Sequence, residues 1–199
     1  MIELDHNVSS DVRQELERLA PLAAAGDPDA VGEVLRIAHP VVHRYCAGRL
    51  ESAEHPHTTA EDVTQEVCVA LMSALRTYQD QGKTLLSFIF GIASHKVADT
   101  RRRANRMFLP TAQTTAAHRT SEPEDGPEHH VLRREMSEDM SRLLGTLPAR
   151  HRQVLFMRVV AGMSAVQTAH ALQTTPGAVR VAQHRALTHL RARIGAARS

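Results

Sequence analysis

The 199-residue sequence predicts an all-α chain, built as two small helical domains joined by a flexible linker. Three observations predict it. Aromatic residues are 3% of the chain, four Phe and two Tyr with no Trp, so a core must come from Leu, Val, Ala, Ile and Met, a set that suits helices better than sandwiches or barrels. Apolar residues recur at helix spacing in both halves, with no strand alternation and no internal repeat. Between the halves, MFLPTAQTTAAHRTSEPEDGPEHH holds three Pro, a Gly, a Thr/Ala tract and an acidic run without a sustained apolar period, which is the composition of a linker. The expected boundaries are therefore 1–106, a linker over 107–131, and 132–199. The last segment is small for an independent core, but three or four compact helices suffice.

In the first module Leu16, Leu19, Leu22 and Ala23 form an apolar face ahead of a GDPDA turn. Val31, Val34, Leu35 and Ala38 open a second face, continued by Val41, Val42, Tyr45, Cys46 and Leu50. After the loop ESAEHPHTT, Thr58 or Thr59 is placed to cap a third helix, with Glu61 or Asp62 three residues on to complete a capping box. In TAEDVTQEVCVALMSALRTY, Val63, Val67, Ala70, Leu71, Ala74 and Tyr78 form one stripe, while Asp62 and Glu66 lie a turn apart on the other face with Gln65 beside them. Taken alone, that face reads as solvated, and no third ligand marks it as a metal or acid/base site. A fourth helix, TLLSFIFGIASHKVADTRRRANR, turns Leu86, Ile89, Ala93 and Val97 to a core and Phe88, His95, Asp99 and Arg102 elsewhere. It ends in Arg101, Arg102, Arg103 and Arg106. Such a cluster favours the helix dipole; it equally supplies a nucleic-acid surface, with Arg on phosphates and Phe88 or His95 against an unstacked base.

The second module reads as helix, turn, helix, turn, helix. Leu155, Val159 and Val160 belong to its first helix, and Val166, Ala169 and Leu172 to its second. Thr175 and Pro176 supply an N-cap and a first-turn proline for the third. There Val179, Ala186, Leu190 and Ile194 are expected to point inward, leaving Arg180, Val181, His184 and Arg185 outward. A short helix, a tight turn and a capped helix with basic outward positions is the arrangement that sets a recognition helix in a major groove.

The net charge of +2 hides a segregation of sign. Residues 1–75 carry 5 Arg against 13 acidic residues, 76–106 carry 7 basic against 2 acidic, 107–148 carry 4 Arg against 7 acidic, and 149–199 carry 8 Arg and no acid. Two basic blocks among acidic stretches predict two places that meet a polyanion and others that avoid it. No apolar run approaches the roughly 18–20 residues of a membrane span, and the acidic amino terminus lacks a signal-peptide core, so membrane insertion is not expected and a cytoplasmic location is. The two cysteines, Cys46 and Cys68, form no CxxC motif and no disulfide framework. His39, His43 and Cys46 recur on one helix face, a spacing open to zinc and equally to a partly buried helix face, and no metal is expected there. His129, His130, His55 and His57 fall in polar loops. The sequence has no phosphate-cradling Gly loop, nucleophile elbow or HExxH, so neither enzymatic activity nor a cofactor is expected.

The order of AEDVTQEV, FIFGIASHKVADTRRR, a polar linker, LPARHRQVLFMRVVAGMS and TTPGAVRVAQHRAL, from about Leu19 to Ile194, resembles the extracytoplasmic-function sigma factors of bacterial RNA polymerase. VVHRYC, EDVTQEVC, GIASHKVAD and TPGAVRVAQHRAL are similar to the actinobacterial sigma D and ShbA-like group. The resemblance implies a region 2 domain, a region 4 domain, and a role in transcription initiation with core RNA polymerase. It implies that Asp62, Gln65 and Glu66 meet the coiled coil of the β′ clamp. It implies that Gln79, Lys83, Thr84, Phe88, His95 and Lys96 hold the unwound minus-ten strand, joined by the cluster Arg101, Arg102 and Arg103. Arg180, Val181, His184 and Arg185 match the positions that read minus-thirty-five DNA. Implied partners are core polymerase at its β′ clamp and β flap, promoter DNA, and an anti-sigma protein of the kind that restrains many members. The sequence departs from the family at His95, where Asn is frequent, at Phe88, where Trp is frequent, at Gln173, where Gly is usual, and at Thr168, where Ile is usual. A less regular helix-turn-helix is therefore expected. The competing reading is an autonomous helix-turn-helix regulator whose first module senses a signal or dimerises; it has no need of the FIFGIASHKVADTRRR helix.

Overall fold

The computed structural model describes residues 10–50, 58–79, 83–107, 139–140 and 142–196. The expected linker over 107–131, apart from Met107, and the loop histidines 55, 57, 129 and 130 lie outside the described residues. Among the described residues, the first module holds four helices: α1 (Ser10–Ala24), α2 (Pro28–Leu50), α3 (Ala60–Leu75) and α4 (Leu85–Met107). In the second, α5 (Ala149–Leu155) runs into a π turn at Phe156–Val160, followed by α6 (Ala165–Ala171) and α7 (Pro176–Ala196). No strand occurs among the described residues.

Local chemistry sets the helix starts. Gly26, at φ +90°, turns the chain between α1 and α2, and Asp27 Oδ1 accepts from the backbone N–H of Asp29 and Ala30 at 2.9 and 3.0 Å. The cap of α3 is Thr59, in a full capping box with Asp62. Ser164 and Gln167 form a second capping box at α6. Thr175 Oγ1 accepts from Ala178 N at 3.2 Å while Pro176 opens α7, the start that the sequence predicts.

The predicted core faces of the first module are buried at Leu16, Leu19, Val34, Val42, Val63, Val67, Leu71, Leu86, Ile89, Ala93 and Val97. Leu22 departs, at 45% exposure on the outer side of α1. Tyr78 lies beyond the end of α3 yet stays buried, donating its hydroxyl to Lys83 O at 2.6 Å just ahead of α4. The second module has its own small clusters, Val154, Ala165, Ala169, Val179 and Ala182 in one and Leu147, Leu155 and Ala186 in the other. Three apolar residues of this module lie outside these clusters. Val159 and Val166 are 56% and 48% exposed, and Ile194 is 43% exposed rather than inward. The π turn widens the helical repeat, so Val159 falls out of the 3.6-residue phase that places it inside. On α6, Ala165 and Ala169 take the core side and leave the adjacent Val166 outward, while Ile194 lies past the stretch of α7 packed on Leu147 and Leu155.

The two modules pack on one another. Met157, Ala161, Met163 and Ala171 belong to the same buried cluster as the core residues of α1 to α4. Tyr45, Phe90 and Phe156 meet edge to face across the seam, with ring centroids 5.3, 5.4 and 5.9 Å apart. Polar bridges join in: Arg13 donates to Gly162 O at 2.8 Å, Gln153 Nε2 to Tyr45 Oη at 3.1 Å, and Ser94 Oγ to Ala171 O at 3.2 Å.

Candidate nucleic-acid interface

The outer face of α3 carries Asp62, Gln65 and Glu66, each already engaged locally. Asp62 accepts from Thr59 N and Thr59 Oγ1, both at 2.8 Å, and those bonds hold its carboxyl below the ordinary aspartate value. Gln65 Nε2 reaches Glu61 Oε1 at 3.4 Å, and Glu66 pairs with Lys96 of α4 at 3.2 Å. The same face continues through Val69 and Met72, 60% and 49% exposed. Sequence periodicity left both outside the buried stripe without marking them as surface. Val69 lies i+4 from Gln65 and i+3 from Glu66, and Met72 i+3 from Val69, the spacing that continues this face along the helix.

On and before α4, Gln79 and Lys83 are exposed, and Thr84 Oγ1 accepts from Ser87 N at 3.3 Å as a cap. Phe88 is half-buried and packs on Tyr78 with centroids 5.2 Å apart, so one side of its ring serves the fold. His95 is exposed. Lys83, Phe88 and His95 open on a cavity of about 590 Å³ walled also by Ile92 and Lys96, and on its far side by residues of the helix-turn-helix, while Gln79 and Thr84 lie outside its lining. The arginine cluster does not share one direction, because successive helical residues are about 100° apart. Arg102 pairs with Asp99, which lowers that carboxyl; Arg103 is exposed; Arg101 is half-buried beside Ala149, Arg150 and Gln153 of the second module.

On α7, Val179, Ala182 and Ala186 are buried, and Arg180, Val181, His184 and Arg185 are exposed together on the opposite side, as the sequence predicts. Arg158 Nε donates to Gln183 Oε1 at 3.0 Å and ties this helix to the π turn, while Arg150 donates to Thr174 Oγ1 at 2.8 Å and braces the turn before it. Gln173 sits at φ +48°, the left-handed conformation that Gly takes without strain, and Thr168 is fully buried with no partner for its hydroxyl among the described residues.

Elsewhere, the His39 and His43 rings stack with centroids 6.4 Å apart, and their Nε2 atoms stand 3.2 and 3.6 Å from the two oxygens of Glu61. Cys46 is buried, its thiol pushed up to about 11 by burial, and Cys46 and Cys68 are both free. Among the described residues no group of three or more His, Cys, Asp or Glu is arranged to hold a metal ion, and no helix is long and apolar enough to cross a membrane.

Residues 35–107 match Sigma-70 region 2, and residues 137–190 match Sigma-70, region 4. The chain is 44% identical over 184 residues to the ECF RNA polymerase sigma factor SigD of Mycobacterium tuberculosis, covering 92% of this chain and 86% of that protein. It is 42% identical over 176 residues to the ECF RNA polymerase sigma factor ShbA of Streptomyces griseus, covering 85% and 90%. Among solved structures, CnrH in complex with the cytosolic domain of CnrY superposes with a TM-score of 0.62 at 25% identity, over 92% of this chain and 98% of that one. Relatives named as polymerase sigma factors do not favour an autonomous regulator. With both sigma-70 regions matched in order and relatives at this identity spanning nearly the whole sequence, the chain belongs to the ECF RNA polymerase sigma factors.

Proposed function

We propose that this chain binds core RNA polymerase and directs it to particular promoters, reading the minus-ten element with its first module and the minus-thirty-five element with its second. The observation that carries this reading is the outward set Arg180, Val181, His184 and Arg185 on a capped α7, in a module whose last 51 residues contain no acid. Double-stranded DNA requires an element that fits the major groove, and Arg pairs bidentately with guanine there. The minus-ten strand is read after melting. Extruding a base costs a few kcal/mol, which hydrogen bonds and a flat ring offset, and Phe88 and His95, flanked by Lys83 and Lys96, offer both. Asp62, Gln65 and Glu66, with Val69 and Met72, supply an acidic and apolar patch for the β′ clamp coiled coil, while the second module meets the β flap. The protein works in the cytoplasm, without a cofactor and without catalysis of its own, and an anti-sigma protein is a further partner.

The test is run-off transcription from genomic promoter fragments with purified core polymerase, with and without this protein. Discrete transcripts only in its presence are expected. Replacing Asp62 and Glu66 with Lys abolishes co-purification with core polymerase at unchanged helical content. Transcripts that appear equally without the protein refute the reading.

A further inference from the structure

Positive charge gathers without an answering acid where the end of α4 meets the start of α5. Arg101 and Arg150 line one cavity of about 390 Å³, together with Val97, Ala98, Gln153 and Leu172. No acidic residue lines it, and among the described residues no carboxylate pairs with either arginine. Arg101 is half-buried, unlike Arg102, which pairs with Asp99, and Arg103, which is exposed. Arg150 donates from Nη2 to Thr174 Oγ1 at 2.8 Å, which fixes the direction of its fork and leaves its other N–H groups for a ligand.

The charge continues into the interior. Arg49, 6% exposed, donates only to neutral carbonyls, Tyr45 O at 2.8 Å and Arg152 O at 3.3 Å, and its Nε has no hydrogen-bond partner. Burial disfavours its charge, and the Arg152 and Arg101 charges stand close enough to disfavour it further. Like charges held together away from bulk water cost free energy, and an anion at their edge relieves that cost. Guanidinium forks fit phosphoryl oxygens two at a time, so two forks at one cavity suit two phosphoryl groups. The cavity is larger than a single phosphate fills and falls within the range of small-molecule sites, about 300–1,000 Å³. Val97, Ala98 and Leu172 give it an apolar wall beside the cationic one.

We propose that the cleft between α4 and α5 binds a small diphosphate, with Arg101 and Arg150 each taking one phosphoryl group and Val97, Ala98 and Leu172 facing the body that carries them. The site is independent of the minus-thirty-five reading, and it gives Arg101 to the ligand rather than to the melted minus-ten strand.

The experiment uses the full chain at constant ionic strength, read by calorimetric titration, thermal midpoint and circular dichroism. The probes are inorganic pyrophosphate, guanosine 5′-diphosphate, guanosine, inorganic phosphate and a mixed-sequence 12-nucleotide single strand. Pyrophosphate and the nucleotide are each expected to bind one to one and raise the midpoint, with phosphate at least tenfold weaker and guanosine without effect. Tighter binding of the nucleotide than of pyrophosphate identifies an organic diphosphate as the ligand, and equal or weaker binding a free one; both support the site. Arg101→Gln and Arg150→Gln are each expected to weaken pyrophosphate binding at least tenfold. Arg101→Lys, which keeps the charge and loses the fork, is expected to weaken it at least threefold. Arg36→Gln, which removes an exposed charge paired with Glu33, is expected to change it less than twofold. Absence of diphosphate binding at millimolar concentration overturns the site. Phosphate binding as tight as that of pyrophosphate, or an equal loss in Arg36→Gln, overturns it too, because net charge alone then holds the anion. An Arg101→Gln chain that keeps pyrophosphate and loses the single strand also overturns it and returns Arg101 to nucleic acid. These outcomes stand even if Arg150→Gln, deprived of its bond to Thr174, fails to fold.

Discussion

Lys96 Nζ stands 3.2 Å from Glu66 Oε2, so a cation expected on DNA is paired with an acid expected on polymerase. Neither side chain is deeply buried, at 33% and 42% exposure, and pairs of this kind contribute about 0–1 kcal/mol. Breaking the pair is therefore cheap for the fold and informative about DNA. Glu66→Gln is expected to free Lys96, tighten single-strand binding by up to about fivefold, and steepen the dependence of log affinity on log salt by about 0.7. A salt titration with a fluorescent oligonucleotide measures both. An unchanged slope means that Lys96 does not reach a phosphate.

Gln173 occupies the turn between α6 and α7 at φ +48°. A side chain in the left-handed region costs about 1–2 kcal/mol, and Gly escapes that cost while gaining freedom in the unfolded chain. Gln173→Gly is expected to stabilise the protein by about 0.5–1 kcal/mol, read as a higher urea midpoint at constant slope. A lower midpoint would show that the Gln173 side chain repays its backbone strain through contacts.

Asp62 has a pKa below the ordinary aspartate value because Thr59 bonds its charged form. A depressed carboxylate contributes stability that is fully present above its unfolded value of about 3.9 and is lost as pH falls through the lower folded value. The stability gap between wild type and Asp62→Ala is therefore greatest near neutrality and closes as the solution is acidified below about pH 4. Denaturation series from pH 7 to about pH 2 check the trend. A gap that does not vary with pH would mean that the carboxylate charge plays no part in the cap.

Helix existence, the α3 cap at Thr59 and the Thr175–Pro176 start of α7 were legible because each depends on residues within four positions of one another. Outward placement of Arg180, Val181, His184 and Arg185 follows from the same local frame once Val179 and Ala186 define the inner side. The module seam was not legible. Nothing in the periodicity of Met157, Ala161, Met163 and Ala171 distinguishes burial within a module from burial against the other one, and Arg49 is covered in part by Phe156 and Arg152, which arrive from more than 100 positions away. The outward position of Val159 is likewise not written in the sequence pattern, since the π turn changes the helical repeat without any composition to announce it.

Arg185 separates base reading from backbone anchoring. The start of α7 at Pro176 fixes the helical frame, Ala186 is fully buried, and Arg185 next to it is exposed on the flank shared with Val181 and His184. No ion pair occupies it among the described residues, so its guanidinium needs no release before meeting DNA. If it pairs with a base edge, Arg185→Ala costs about 1–3 kcal/mol on the preferred sequence and relaxes preference at one minus-thirty-five position. A phosphate contact instead weakens all sequences about equally and lowers the salt slope by about one unit, the behaviour expected of Arg191 and Arg193 on the last turns of α7. Affinities of wild type and variant for a set of single-base minus-thirty-five duplexes, each at several salt concentrations, distinguish the two. A uniform loss across the set would demote Arg185 to anchoring and pass the reading of that position to Arg180 or His184.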